Sequence, residues 1–187
     1  IGNSLSLDGT NDYAQAFSYK GITGSSRRTL SLWFKTSSSN KPFFYYGTQG
    51  SGTLFKVSIN ASGSPLVDLG GISVTSSATN TTDNAWHHLA VSVPEGGNSG
   101  GVKLYVDGTA TNGSGATVIN TGASNDLKIG TDGASYFSGQ LDDVRLYNAE
   151  LNASMIGKIY GGGVGDFNRL QIKSAGSVTI TASQAGD

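Results

Sequence analysis

Two groups of oxygen-bearing side chains have the types that bind a hard cation. Asp8, Asn11 and Asp12 lie in one short segment, and Asp142 and Asp143 stand next to each other. Carboxylates joined by an amide oxygen and backbone carbonyls suit Ca²⁺, which takes about six to eight oxygen ligands. If the two segments meet, we expect a structural calcium site there. The alternative is that these residues only form turns, cap backbone amides or pair with a neighbouring arginine.

The two histidines, His87 and His88, are adjacent in the sequence. Neighbouring residues of a strand point to opposite faces, so the pair cannot chelate one metal ion together. We expect one ring to be packed and the other to lie at the surface. A Ser-His-Asp triad stays open on residue types alone, because serine is plentiful. The chain has no Cys, which excludes a thiol nucleophile and a thiolate metal site.

The elements that must position these groups are strands. On one side of a Gly-rich loop, Leu89, Val91 and Val93 alternate with His88 and Ala90. The sequence after the loop, at 102–107, alternates in the same way, so residues 86–108 predict an antiparallel hairpin. Further strands are predicted at 4–7, 13–17, 29–35, 43–46, 53–60, 66–69, 72–74, 116–119, 126–129 and 139–147.

One short helix is predicted near the C-terminus, at residues 153–160. Asn152 has the residue type that caps a helix N-terminus, Met155, Ile156 and Ile159 form an apolar stripe, and Gly161 follows. After three glycines, the segment 166–187 reads as a linker with the first strands of a following β-rich module, or as the closing strands of the same domain. Residues 1–165 are predicted to form the main domain.

Composition limits the classes of function. The net charge is −1, so no basic surface exists to bind nucleic acid. Charged residues make up 13% of the chain and glycines number 28, which is typical of short strands joined by tight turns. No apolar run approaches the roughly 20 residues that a membrane helix needs. Both ends look cut from a longer polypeptide, so any signal peptide is expected outside this segment.

Several motifs in order resemble one known family. They are residues 5–9 with 11–13, then 30–35, 86–91, 104–108, 127–130 and 139–147, followed by the helix. This series is similar to the laminin-G-like jelly-roll modules of the concanavalin-A-like superfamily. The resemblance implies an all-β fold, a two-sheet antiparallel jelly-roll sandwich with one short C-terminal helix. It also implies binding of glycans or proteins, often with Ca²⁺. Because first and last strands are neighbours in jelly rolls, the two aspartate groups are expected to converge.

The same superfamily includes retaining glycoside hydrolases, which need two carboxylates about 5–5.5 Å apart. The chain has two glutamates, Glu95 in the hairpin loop and Glu150 before the helix, and neither belongs to such a pair. Asp142 and Asp143 are expected to point to opposite faces of their strand. We therefore predict that the chain is not an enzyme, with glycoside hydrolase or polysaccharide lyase as a disfavoured alternative.

Sugar sites need an exposed aromatic face beside polar partners. Tyr45 in an aromatic strand, and Asp132 and Tyr136 in the loop 131–137, are the predicted ligand-binding residues. Trp33 and Trp86 match positions that fill the core of the resembling family, so we interpret both as structural.

The predicted function is a non-catalytic module that binds carbohydrate or a partner surface, with Ca²⁺ as a structural cofactor. The expected location is extracellular or at the cell surface, in a bacterial multidomain protein, where neighbouring domains of the same chain are further partners. The alternative is an architectural spacer of a large bacterial adhesin.

Overall fold

Short strands follow one another along almost the whole chain, and one helix comes near its end. The computed structural model describes residues 4–162, 171–172 and 180–183. The elements are β1 (Leu5–Asp8), β2 (Tyr13–Ala16), β3 (Arg28–Lys35), β4 (Lys41–Gly47), β5 (Leu54–Ile59), β6 (Pro65–Asp68), β7 (Ser73–Thr75), β8 (Trp86–Val93), β9 (Lys103–Val106), β10 (Thr109–Asn112), β11 (Asn125–Ile129), β12 (Ser138–Tyr147), α1 (Ala153–Gly161), β13 (Gln171–Ile172) and β14 (Ile180–Ser183), with a 3₁₀ turn at Ser99–Gly101.

The strands form two sheets that pack face to face as a jelly-roll sandwich, which confirms the predicted fold class. The first sheet has the order β1-β12-β3-β8-β9-β10, and the second has the order β2-β11-β4-β5-β6-β7. Every neighbouring pair in these two paths is antiparallel. The predicted neighbourhood of the first and last main strands is also found, because β1 pairs with β12.

The core lies between the sheets and is filled by the inward side chains of both. Leu30, Leu32 and Phe34 of β3 and Leu89 and Val91 of β8 are fully buried, as their period-2 spacing predicted. Burying one such side chain is worth about 1.5–3 kcal/mol. Aromatic rings join the two layers: the ring centroids of Phe34 and Phe43 are 4.7 Å apart, and those of Phe43 and Phe137 are 5.1 Å apart.

Arg28 closes one end of the sandwich and is fully buried. Its Nε donates to the Ser26 carbonyl at 2.9 Å, its Nη2 to the Gly24 carbonyl at 2.8 Å, and its Nη1 to Thr121 Oγ1 at 2.7 Å. The Ile22 carbonyl also accepts from Nη1. One guanidinium therefore organises the loop before β3 and ties it to the segment before β11, since its planar fork donates in several fixed directions.

The helix begins where its cap predicted. The Asn152 side chain accepts a hydrogen bond from the Met155 backbone N–H at 3.0 Å, which satisfies one of the free N–H groups of the first turn. Ile156 is fully buried against Ala90 and Tyr105. Met155 is 49% exposed, so the inward contact of α1 rests on a narrower stripe than the sequence indicated.

Two strand predictions were wrong. Residues 116–119 form no strand and hold only an isolated bridge from Asn98 to Val118. The unpredicted β10 pairs with β9 instead, and its side chains are mostly exposed. Because β10 is an edge strand with no buried face, the sequence Thr-Ala-Thr-Asn carries no apolar alternation that would reveal it.

Most of the segment 166–187 lies outside the described residues. Within it, β13 pairs parallel to β12 and β14 pairs antiparallel to β2. The assignment of this segment to a following module or to closing strands stays a prediction.

Candidate functional site

The two outer faces of the sandwich differ in what covers them. On the first sheet, Ile156 of α1 packs on Ala90 and Tyr105, and Tyr160 stacks on Trp33 with centroids 5.9 Å apart and planes at 26°. Trp33 is thus structural, as expected, but it lies beneath the helix instead of between the sheets. No described helix packs on the second sheet, where the outward Tyr45, Lys56 and Lys128 are half-buried. The second sheet therefore offers the accessible face.

A row of outward side chains crosses the middle of this open face. The strand register places Gln15 of β2 opposite Lys128 of β11, Lys128 opposite Tyr45 of β4, and Tyr45 opposite Lys56 of β5. Neighbouring members are separated by one strand spacing, about 4.8 Å. The row, which we call the Tyr45 row (Gln15, Lys128, Tyr45, Lys56), joins an aromatic ring to amide and ammonium groups.

Tyr45 is the aromatic side chain of β4 that reaches the surface. Phe43, Phe44 and Tyr46 are buried almost completely, whereas Tyr45 is half-buried. A register shift between Pro42 and Phe44 interrupts the alternation of the strand, so the neighbours Phe43 and Phe44 are both buried. The Tyr45 hydroxyl accepts from Asn125 Nδ2 at 3.1 Å. Burial, and then the nearby Asp132 carboxylate, raise the pKa of Tyr45.

Asp132 shapes the loop that borders the row. Its Oδ1 accepts from the backbone N–H groups of Ala134 at 3.0 Å and Ser135 at 2.9 Å, and its Oδ2 pairs with Lys56 Nζ at 2.6 Å. Burial opposes ionisation, but Lys56 and these N–H groups outweigh it and lower the pKa of Asp132 to about 2. Asp132 thus joins Tyr45 through Lys56, and its oxygens are engaged within the protein.

Tyr136, the third predicted ligand-binding residue, lies farther along the same loop. Its ring is tilted at 48° against Tyr13 of β2, with centroids 6.2 Å apart. β11 separates β2 from β4, so this aromatic pair borders the face on the β2 side while Tyr45 occupies its middle. The structure therefore brings Tyr45 and Asp132 together and places Tyr136 at the rim.

Residues 8–157 match the laminin G-type family described as the concanavalin A-like lectin/glucanases superfamily. The chain belongs to this superfamily. The match covers most of the chain and contains strands β2 to β12, so the resemblance expected from the motifs is confirmed.

A relative and two solved structures illustrate the range of this superfamily. Adhesion G-protein coupled receptor V1 of Danio rerio is 29% identical over 147 residues, which are 71% of this chain and 2% of the receptor. The mouse laminin alpha1 domains LG4-5 align with a TM-score of 0.61 and 18% identity over 82% of this chain and 44% of that one. Domain 4 of AbnA, an extracellular arabinanase from Geobacillus stearothermophilus in complex with arabinotriose, aligns with a TM-score of 0.62 and 20% identity over 86% and 77%.

These similarities establish the fold of this superfamily member. A fold does not determine the ligand, so the ligand is inferred from the residues of the site. The chain spans only a small fraction of the length of the receptor. Among the described residues, no helix is long and apolar enough to cross a membrane.

The predicted calcium ligands do not converge. β1 runs antiparallel to β12 with Asp8 opposite Ser138, so Asp142 lies four residues farther along β12, about 13 Å away along the strand. The expected convergence fails because the neighbouring strands place the two groups at different levels. Within the described parts of the chain, no three His, Cys, Asp or Glu side chains form a metal-binding group.

The turn at 8–12 nevertheless has cation-compatible oxygens. Asp8 Oδ1 accepts from the Thr10 N–H at 2.7 Å, and Asp12 Oδ2 accepts from the Asp8 N–H at 3.2 Å. Asn11 Oδ1 and Asp12 Oδ1 are buried and have no hydrogen-bond partner among the described residues. Two buried acceptors without donors fit the chemistry of a bound cation.

Asp142 and Asp143 instead make contacts within β12. Asp143 has φ 50° within a register shift of β12, and its Oδ1 lies 2.6 Å from Arg145 Nη2. Burial raises the pKa of Asp143 to about 6 against the attraction of Arg145. Asp142 Oδ1 accepts from the Asp143 N–H at 2.7 Å. The pairing with Arg145 that the sequence left as an alternative is present.

The histidines divide as predicted, one packed and one near the surface. His88 is fully buried, with Nε2 3.0 Å from Ser31 Oγ, and its ring lies 5.9 Å from that of Tyr160. Its Nδ1 has no partner in the described structure, so a Ser-His-Asp triad is not formed. His87 contacts Asp107 at 2.7 Å and Asp83 at 3.1 Å. Partial burial lowers the pKa of His87, but the two carboxylates outweigh this effect, so the pKa is raised.

Acidification should weaken the packing beneath α1. Burial lowers the pKa of His88 from 6.5 to about 4. The unfolded chain binds a proton at the higher pH, so the stability that neutral His88 contributes is lost as the pH falls from about 6.5 to about 4. We expect the free energy of unfolding of the His88→Gln variant to fall less across this interval. The raised pKa of Asp143 changes the stability in the opposite direction over the same pH range, but it does so equally in both proteins and cancels in the comparison. Parallel pH profiles of the free energy of unfolding would contradict the prediction.

Sequence reasoning missed the two lysines of the Tyr45 row. Lys56 alternates with the core residues Phe55 and Val57, and Lys128 lies between Leu127 and Ile129. Both are therefore the outward residues of apolar strands, a signal that period-2 patterning contains. Their neighbourhood to Tyr45 depends on strand order, which the sequence alone does not specify.

Proposed function

We propose that this chain is a non-catalytic carbohydrate-binding module whose ligand lies across the open face of the second sheet, with a sugar ring against Tyr45. The observation that supports it is the half-buried Tyr45 ring, which reaches the surface in the middle of a face that no described helix covers. Sugar rings bind well to such aromatic faces when polar groups stand beside them, and Lys56 and Asn125 do so here. The AbnA domain of the same fold is in complex with arabinotriose.

The carboxylates support a role without catalysis. Glu95 accepts a hydrogen bond from the Arg27 N–H at 2.9 Å in an exposed loop. The Asp132 carboxylate is held by Lys56 and its own loop. Retaining hydrolysis requires two carboxylates opposed about 5–5.5 Å apart across a sugar, whereas these two carboxylates are engaged in contacts within the protein.

Truncation of the central ring tests this proposal. We expect Tyr45→Ala to lower the affinity for glycans found on an oligosaccharide array by at least about ten-fold, because stacking and its buried area are lost. Titration calorimetry measures the change. Met155→Ala is the matched control, since it truncates an exposed apolar side chain on the covered side of the sandwich. Equal losses in both variants would contradict the site, and an array without hits, with and without Ca²⁺, would favour the spacer function.

We also propose a structural Ca²⁺ at the turn of residues 8–12, held by Asn11 and Asp12. The buried, unpartnered oxygens of both residues support it. A ligand that binds only the folded state raises the melting temperature, so Ca²⁺ should stabilise the protein relative to EDTA. Asp12→Asn should abolish that shift, because one formal charge is removed while an oxygen remains. Identical melts of the wild-type protein in Ca²⁺ and EDTA would exclude the cofactor.

An extracellular or cell-surface location, with glycans or partner proteins as ligands and neighbouring domains in the same chain, belongs to this proposal. The names of an adhesion receptor and an extracellular arabinanase among the similar proteins support it. The bacterial source stays a prediction.

A further inference from the structure

The lysines on and around the open face are not equally neutralised. Lys56 Nζ lies 2.6 Å from Asp132 Oδ2, and Lys20 Nζ lies 2.6 Å from Asp126 Oδ1. Each of these ammonium groups thus has a carboxylate of the protein in contact. Such a pair is locally neutral and has little net attraction for an anion.

Lys128 differs from both. It lies on the inner strand β11, between Gln15 and Tyr45, and no carboxylate within the described residues is in ion-pair contact with it. Asp126 is the acidic residue nearest to Lys128 in the sequence, and its carboxylate already accepts from Lys20 Nζ at 2.6 Å and from Gln15 Nε2 at 3.1 Å. Lys128 therefore carries a positive charge with no ion-pair partner among the described residues, beside the half-buried Tyr45 ring.

The backbone of the neighbouring loop passes close to the ammonium group. A Cβ on Gly133 would lie 3.4 Å from Lys128 Nζ, and Gly133 has φ +90°, so the loop passes close to the amine without a side chain at that point. The adjacent Asp132 turns its carboxylate to Lys56 and to the N–H groups of its own loop. The loop backbone thus approaches Lys128 while its acid is directed elsewhere.

We propose that Lys128 binds the anionic group, a carboxylate or a sulfate, of an acidic sugar whose ring lies on Tyr45. This inference rests on the proposed function, because it identifies the ligand class of that same face. Tyr45 and Lys128 are cross-strand neighbours, about one strand spacing apart, which matches the reach from a sugar ring to its own substituent. The charge-assisted hydrogen bond makes acidic sugars preferred over neutral ones.

Matched oligosaccharides test the inference. The probes are trigalacturonate against galactotriose for the carboxylate, and a sulfated against a desulfated κ-carrageenan tetrasaccharide, which carries no carboxylate, for the sulfate. We expect the wild-type protein to bind the acidic member of at least one pair ten-fold or more tightly, with an affinity that falls as NaCl is raised. Lys128→Gln should remove this preference and leave the affinity for the neutral member unchanged. Lys103→Gln, on an exposed position of the first sheet, should change neither.

The outcomes separate the two proposals. Equal affinity for both members of each pair, lost in Tyr45→Ala but not in Lys128→Gln, would overturn the acidic-sugar inference and keep the proposed function. An acidic preference that survives in Lys128→Gln would also overturn it. Failure of all four probes, together with an array on which only neutral glycans bind, rejects the inference alone; an array without any hit rejects the proposed function and the inference with it.

Discussion

Replacing Arg28 with methionine is expected to lower the free energy of unfolding by about 3–5 kcal/mol, a large part of the stability of a domain of this size. Methionine has a similar length but no donor. The carbonyls of Ile22 and Ser26 and the Thr121 hydroxyl then lose this donor, whereas the Gly24 carbonyl still accepts from the Thr121 N–H. A buried acceptor without a donor costs about 1–3 kcal/mol, and this single substitution removes the donor of several acceptors at once.

Arg27→Met is the control for this variant. Arg27 is the preceding residue, its side chain is exposed, and its contact with Glu95 is made by the backbone N–H, which methionine keeps. Urea denaturation of both variants measures the difference. Arg28→Lys should be nearly as destabilising as Arg28→Met, because one ammonium group cannot reproduce donors at Nε, Nη1 and Nη2. A loss in Arg28→Met no larger than that in Arg27→Met would contradict the structural role of the guanidinium.

Replacing Gly70 with alanine is expected to cost at least about 3 kcal/mol, from backbone strain together with a steric clash. Gly70 has φ +79°, and a Cβ there would lie 1.7 Å from the Gly50 carbonyl oxygen. The obstacle is backbone of the loop between β4 and β5, so no flexible side chain can move aside. That loop and the β6–β7 turn must separate to accommodate one methyl group.

Gly96→Ala separates the two causes. Gly96 also has a left-handed backbone, φ +59°, but a Cβ there meets nothing within 4 Å. It should cost only the conformational penalty, about 1–2 kcal/mol. The excess loss in Gly70→Ala, measured by urea denaturation, then reports the contact with Gly50. Equal losses would show that the turn and the loop move apart freely.

The local signals of the sequence predicted most of the fold. Alternation located the buried faces of β3 and β8, and Asn152 marked the start of α1, because burial and capping act over a few neighbouring residues. β10 escaped detection since an exposed edge strand buries no regular face. The register shift at Asp143 was also missed, because the extra residue of a bulge is specified by its neighbours across the sheet.

The candidate site was predicted in part. Tyr45 and Asp132 were identified by residue type and setting, and the structure joins them through Lys56. Lys56 and Lys128 were not identified, because their closeness to Tyr45 follows from the order of strands β11, β4 and β5. The calcium hypothesis used the correct strand neighbours but lacked their register, which alone sets the distance between Asp8 and Asp142.

The pairing of β1 with β12 also affects how the protein is made. Leu5 of β1 pairs with Leu141 of β12, so nearly the entire domain is synthesised before the partner strand of β1 is available. At about 5–20 residues per second, a ribosome needs many seconds to supply it. Contacts so distant in sequence slow folding, because the loop between them must close first. The nascent chain therefore carries β1, with Leu5 and Leu7, without its partner strand during that time, and assembly of the first sheet is completed late.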